Sequence, residues 1–232
     1  FYFPHSLGLF YQGMTQLIGF NKYGDEYKLM GLAPYGKPIF KDKIKKKLFT
    51  KTDDLFRLNL EYFNHHRLNF KYDISENINI GKILSNDFQE FLKEEKLDNK
   101  KIDEFKQNIS SSTQKIFEEY FQKILEYLKK LNFSKNIIYA GGCALNSSAN
   151  NILLNDNFFH KIFLPFAPAD NGGAIGSSIY TYSKTGNKIN NVQSPYLGNN
   201  FDNHSIEKSL EYYLNKFNLR IEKFTNFNQL CE

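Results

Sequence analysis

Apolar residues recur at helical spacing from the first turn of the chain. Leu7, Phe10, Tyr11, Met14, Leu17 and Ile18 share one face of a helix over Leu7 to Phe20, and Ser6 stands where an N-cap is needed. A second helical stretch, Glu26 to Ala33, runs into Pro34-Tyr35-Gly36-Lys37-Pro38, which cannot continue it. Lys41 to Thr50 predicts a short basic helix. Leu55 to Leu60, with Tyr62-Phe63, alternates like a strand, and Asn69 to Tyr72 offers another. Asp73 to Lys101 is polar and reads as loop with a short helix. The strongest element is Ile102 to Leu131, where Ile102, Phe105, Ile109, Ile116, Tyr120, Ile124, Leu128 and Leu131 form a stripe that Phe117, Phe121 and Leu125 widen.

Beyond it the period changes. Asn136 to Ala140 is a short apolar strand that runs into Gly141-Gly142 and a helical stretch, Ala144 to Leu154. Lys161 to Phe166 predicts a second strand, followed by the loop Ala167 to Asn171 and a helix over Gly172 to Tyr182. Gly186 to Asn200 is a polar linker. Asp202 to Phe217 predicts a further helix with Ile206, Leu210, Tyr213, Leu214 and Phe217 inward, and Asn218 to Lys223 a strand that opens the next region. There is no internal repeat.

Composition narrows the class. The 232 residues are 41% apolar and 24% charged, enough for a soluble globular core with one large domain or two small ones. The net charge of +5 is mostly lysine, and only Arg57, Arg67 and Arg220 are arginines. Five lysines crowd Lys41 to Lys47, but no aromatic or arginine residue interleaves with them, which favours a solvated face over a nucleic-acid surface. Cys143 and Cys231 make no disulfide framework and point to a reducing compartment. No apolar run approaches the ~18 residues of a membrane span, and no signal peptide is visible, so a cytoplasmic location is expected. The chain opens at Phe1 in a structured segment and reads as a piece of a longer protein.

Two strand–glycine–helix units in succession suggest an anion site. Glycines at a strand's end let backbone N–H groups approach a ligand, and the following helix offers its positive end. Gly141-Gly142 and Gly172-Gly173 would flank a nucleotide or phosphate, although tight helix entry alone would also use glycine. Asp170, at the mouth of the second loop, suits a divalent cation or an N-cap, and the residue chemistry favours the cap slightly. His5, His65, His66, His160 and His204 offer no helical pair to a metal, and His65-His66 read as loop or surface. Cys143 after Gly-Gly has no evident histidine partner and reads as a small filler. No P-loop, Gly-x-Ser-x-Gly elbow or dinucleotide fingerprint is present.

Three stretches together resemble the O-carbamoyltransferases of nodulation-factor and antibiotic biosynthesis. They are Phe3 to Tyr11, Glu26 to Gly36, and Gly141-Gly142-Cys143-Ala144-Leu145-Asn146 with Pro168 to Gly176. The resemblance covers most of the chain and is weakest from about Phe40 to Lys101. It implies an α/β chain holding part of an actin-like ATPase (sugar kinase superfamily) fold, a mixed sheet flanked by helices. Residues 1–190 would belong to the amino-terminal carbamoyl-adenylate-forming domain, and 191–232 to a linker and the start of the carboxy-terminal carbamoyl-transfer domain.

The resemblance further implies ATP, a divalent metal (iron or magnesium), carbamoyl phosphate and a small-molecule or sugar hydroxyl acceptor, with no nucleic acid or membrane as partner. Gly141, Gly142, Asn146, Gly172 and Gly173 match its nucleotide loops; Glu26, Lys28 and Gly31 match a segment near the nucleotide; Asp170 matches a metal ligand. Lys28 would neutralise a phosphate, or pair with Glu26 or another surface acid. The family's paired metal histidines and its carboxy-terminal arginine-rich motif are absent from this chain, so the chain alone is expected to be inactive. Another actin-like ATP enzyme (a sugar kinase or a tRNA threonylcarbamoyl-type relative) or a non-catalytic truncated nucleotide-binding module remain open alternatives.

Overall fold

The computed structural model describes residues 2–50, 55–67, 81–92, 99–188, 195–196, 198–220 and 222. The chain divides into two compact units, Phe1–Lys188 and Ile189–Glu232. Helix α1 spans Leu7–Leu17, and the Ser6 hydroxyl accepts from Leu9 N at 3.3 Å, the cap its sequence predicts. It stops before the last apolar residues of the pattern because the chain turns at Gly19, yet Ile18 stays buried. Helix α2, Glu26–Leu32, passes into a 3-10 turn at Ala33–Tyr35.

Helix α3, Lys41–Leu48, gives way to strand β1, Phe49–Thr50, which pairs antiparallel with β2, Arg57–Leu58. The predicted helix is therefore two residues too long. Packing overrides propensity here: Phe49 stacks on Tyr120 with centroids 4.5 Å apart and meets Phe10 edge-on at 5.0 Å. The predicted strand over Leu55 to Leu60 shrinks to β2, and Leu60–Tyr62 is a 3-10 turn. The possible strand Asn69 to Tyr72 lies outside the described residues. A short helix, α4, covers Asn86–Leu92. Gln16 ties the preceding segment to α1, donating to Gly81 O at 2.8 Å and accepting from Ile83 N at 2.9 Å.

Helix α5, Asn99–Leu131, is the spine of the first unit. Ile109, Ile116, Phe117, Tyr120, Phe121 and Leu125 bury its predicted stripe, while Leu128 and Leu131 at its far end are exposed. A polar patch, Asn108 to Gln114, is also buried. Ser110, Ser112 and Thr113 satisfy their hydroxyls on carbonyls one turn back. Asn108 and Ser112 receive the backbone N–H groups of Lys37 and Phe40 at 2.7 and 3.1 Å, which seats the proline-rich loop on the helix.

The basic run is tied to its own fold. Lys41 and Lys45 both reach Glu119 at 2.8 Å, and Lys43 and Lys47 lie over the Phe91 ring. His65 departs from its reading as a surface residue: it is 2% exposed. Its Nε2 lies 2.8 Å from Pro4 O, and its ring packs edge-on against Phe3 and Phe63.

The last part of the first unit is a different kind of layer. Strands β3, Asn136–Ile138, and β4, Lys161–Phe163, pair in parallel, with α6, Ser147–Leu154, between them in sequence. Helix α7 covers Asn171–Lys184. The single mixed sheet expected from the resemblance is, among the described residues, two separate two-stranded sheets, one antiparallel and one parallel. In the second unit, Asp202 caps α8, Asn203–Phe217, and Asn218 closes it in the left-handed conformation. The face predicted inward is exposed at Ile206, Leu210, Tyr213 and Phe217. No described helix is long and apolar enough to cross a membrane.

Candidate functional site

Parallel pairing decides where the glycine turns fall. Ile138 lies opposite Phe163, and the ladder continues as Tyr139 N donates to Phe163 O at 3.0 Å. Both strands therefore deliver their turns at the same end, the carboxyl end, where open α/β sheets bind ligands. Gly141 N donates to Pro168 O at 2.7 Å, which joins the first turn directly to the loop that carries the second. The structure thus ties Gly141 to the loop that leads into Gly172-Gly173.

The four glycines are not equivalent. Gly141 has φ +103°, a conformation that side chains disfavour, and a Cβ on Gly172 would stand 2.1 Å from Ala167 O. The backbone itself requires those two. At Gly142 and Gly173 a Cβ would meet open space among the described residues. Both are exposed. A cavity of about 230 Å³ opens at the second turn, lined by Ala140, Phe166, Pro168, Ala169, Gly172 and Gly173 among others but not by Gly141 or Gly142.

Asn146 is placed differently from the turns it follows. It is 8% exposed, and its Oδ1 accepts from Ala149 N at 3.0 Å, capping α6. Its amide also exchanges two hydrogen bonds with Gln114 of α5, at 2.9 and 3.0 Å. Asp170 takes the N-cap position of α7, as its sequence place suggests, but with helical backbone angles and no side-chain cap bond. It is exposed at the rim of the turn. Among the described residues no three His, Cys, Asp or Glu side chains converge as a metal site. Asp170 alone supplies one carboxylate, where divalent ions take several ligands. Burial pushes the Cys143 thiol above its ordinary pKa, which disfavours a thiolate and agrees with a filler.

Glu26, Lys28 and Gly31 lie on α2. This helix touches the glycine region through Met30, whose Sδ receives Ser147 Oγ at 3.6 Å. Glu26 is half-buried, and burial, with Asp25 beside it, raises its carboxyl above the usual range. Lys28 pairs with Asp25 at 2.6 Å and lies over the rings of Phe20 and Tyr27, so the acid it chooses is Asp25 and not Glu26. Gly31 is exposed with open space above it.

Two residues of this region escape a reading by motif. Tyr11 donates to Gln114 Oε1 at 2.8 Å, and both are at most 6% exposed. Burial, with Glu118 near, pushes the Tyr11 hydroxyl far above its ordinary pKa and keeps it a donor. The available signal was a glutamine inside the apolar stripe of a long helix, between Ile109 and Phe117.

The chain matches the family described as Carbamoyltransferase N-terminus over residues 1–179. An uncharacterized protein of Synechocystis sp. is 33% identical over 219 residues, covering 90% of this chain and 34% of that protein. Nodulation protein NolO of Bradyrhizobium diazoefficiens is 29% identical over 213 residues, covering 91% of this chain and 34% of its own length. Nodulation protein NolNO of Sinorhizobium fredii is 28% identical over 200 residues, covering 84% and 26%. The chain spans about a third or less of the length of these relatives.

Proposed function

The chain belongs to the carbamoyltransferase N-terminus family, and from that premise we propose that it forms the second part of an ATP-binding, actin-like domain in a longer O-carbamoyltransferase. The longer protein would use ATP and water to convert carbamoyl phosphate to carbamoyl-adenylate, with phosphate and pyrophosphate leaving, and would pass the carbamoyl group to a hydroxyl of a small-molecule or glycan acceptor, with AMP leaving. Residues beyond about 190 would lead into the transfer domain. This chain alone would not turn over.

The observation that supports this reading is the 2.7 Å bond from Gly141 N to Pro168 O, which ties the surface of the first glycine turn to the loop entering the second, at the carboxyl ends of parallel strands. On that surface Gly142 and Gly173 carry no side chain although packing does not forbid one. The N–H groups of Gly141, Gly172 and Gly173 are spent on the carbonyls of Pro168, Ala169 and Asp170, so phosphate oxygens would be met by the Gly142 backbone and the positive end of α7. The cavity is smaller than the ~300–1,000 Å³ of a typical small-ligand pocket, so it would take part of a nucleotide and leave the rest to other segments. Gly141 and Gly172 shape the turns, and Asn146 fixes the first of them. Glu26, Lys28 and Gly31 would form the α2 wall, where Lys28 would reach a phosphate only by leaving Asp25. Asp170 would give one oxygen to an iron or magnesium ion. The described residues do not complete that site.

Electrostatic stabilisation and positioning would supply most of the rate, as phosphate chemistry asks little else of a protein. The test is the full-length protein incubated with ATP and carbamoyl phosphate. Pyrophosphate release that depends on carbamoyl phosphate is expected. ADP formation that depends instead on an added sugar would replace this reading with a kinase.

A further inference from the structure

We infer that Gln114, in the middle of α5, is a positioning residue for the Gly141–Asn146 turn and, resting on the nucleotide reading above, sets ATP affinity through Asn146. The side chain has no contact with the turn's glycines; its effect passes through one amide.

The hydrogen bonds fix direction as well as distance. The Gln114 amino group donates to Glu118 Oε1 and to Asn146 Oδ1, each at 3.0 Å. Its carbonyl oxygen accepts from the Tyr11 hydroxyl at 2.8 Å and from Asn146 Nδ2 at 2.9 Å. Every donor and both acceptor sites of the Gln114 amide are thereby used. The reverse orientation of this amide would set its oxygen against the Glu118 carboxylate and against Asn146 Oδ1. An ionised carboxylate only accepts, so Glu118 dictates which way Gln114 points. Gln114 in turn dictates which way Asn146 points. Only that orientation leaves Asn146 Oδ1 free to cap α6 at Ala149 N.

The consequence reaches the turn because its two ends are both pinned. Asn146 N donates to Cys143 O at 3.2 Å, and Asn150 Nδ2 donates to Ala144 O at 2.8 Å. Gly141 N is held by Pro168 O. Between these pins Gly142 has no packing neighbour at its Cβ position. The exposed glycine is therefore held in place by its flanks, and the carboxyl flank depends on a side chain 32 residues earlier. A buried amide that loses its partners leaves several groups unpaired at once, so the turn would shift or loosen to recover them.

The experiment uses the full-length protein with three variants. Gln114→Met keeps the shape and removes the amide. Gln114→Glu keeps the acceptor and loses the donor, and serves if the first variant does not fold. Ser112→Ala, on the same helix, removes a buried hydroxyl that serves Phe40 and is the stability control. ATP affinity is measured by calorimetry, and backbone hydrogen exchange over residues 141–147 by mass spectrometry.

Both Gln114 variants are expected to exchange faster over the turn and to bind ATP about tenfold more weakly. Ser112→Ala should lower Tm while leaving both readouts near the wild type. Unchanged exchange in the Gln114 variants, or the same exchange change in Ser112→Ala, overturns the inference. ATP bound as tightly by the Gln114 variants as by the wild type overturns it too. Wild-type protein that binds no ATP overturns the nucleotide reading instead, and exchange over the turn still decides the role of Gln114.

Discussion

Phe10 and Phe163 are both aromatic residues at apolar positions of regular elements, yet Phe10 is fully enclosed and Phe163 is 57% exposed. The contrast extends to their surroundings. Helices α1 and α5 close a core around Met14, Leu29, Ile116 and Phe117, all nearly inaccessible. The β3–β4 pair and α7 leave Ile138, Phe163 and Tyr180 exposed, and α7 has no buried residue. A parallel sheet is normally covered on both faces. One region therefore makes its own core, whereas the region with the glycine turns borrows stability from α5 and α6. The site sits on the less self-sufficient layer, and its geometry depends on what α5 supplies to it.

The largest expected effect lies in the first region. Phe10→Ala should cost about 3–5 kcal/mol in chemical denaturation of the chain, as the loss of a core aromatic does. A loss no larger than that of a surface mutation would erase the contrast. Next is Gly172→Ala, whose Cβ would collide with Ala167 O. A cost of about 1–3 kcal/mol is expected from displaced backbone, with the loop at 167–172 shifted in a crystal structure or by chemical-shift mapping.

A smaller effect is expected at Glu119. Burial pushes its carboxyl up, but the bonds from Lys41 and Lys45 outweigh that and hold it below the usual carboxylate range. A depressed folded-state pKa adds stability above the unfolded value, which fades as pH falls through the folded one. Glu119→Gln should therefore cost about 1 kcal/mol at neutral pH, and its denaturation midpoint should converge with the wild type in acid. Constant separation down to low pH would contradict the ion-pair account. The smallest effect belongs to Phe163→Ala, at roughly 0.5 kcal/mol or less in this chain. A much larger cost in the full-length protein would sharpen the comparison, because it would mean that the exposed layer is covered there.

Much of this was legible beforehand. The α1 pattern and its Ser6 cap, the α5 stripe and the two strand–glycine–helix units follow from local periodicity and capping, which act over a few residues. The errors share a different cause. Phe49 left its helix for a core that the distant Phe10 and Tyr120 assemble with the nearby Phe56, and His65 was buried between its neighbour Phe63 and the distant Phe3 and Pro4. The amphipathic face of α8 was legible, but nothing in its period said that it would be exposed. At the site, the glycines were visible as motifs. That Gly141 and Gly172 serve the backbone while Gly142 and Gly173 face open space required coordinates, as did the Tyr11–Gln114–Asn146 network.

The difference between those glycine pairs provides the most direct test. Gly142→Ala and Gly173→Ala, combined in the full-length protein, should leave Tm unchanged or raised, since a Cβ meets nothing at either position and alanine is the better helix former at Gly173. ATP titrated by calorimetry should bind the wild type and bind the double variant at least about tenfold more weakly. Equal affinity in the two proteins, or no ATP binding by the wild type, would contradict the claim that the paired turns hold a nucleotide.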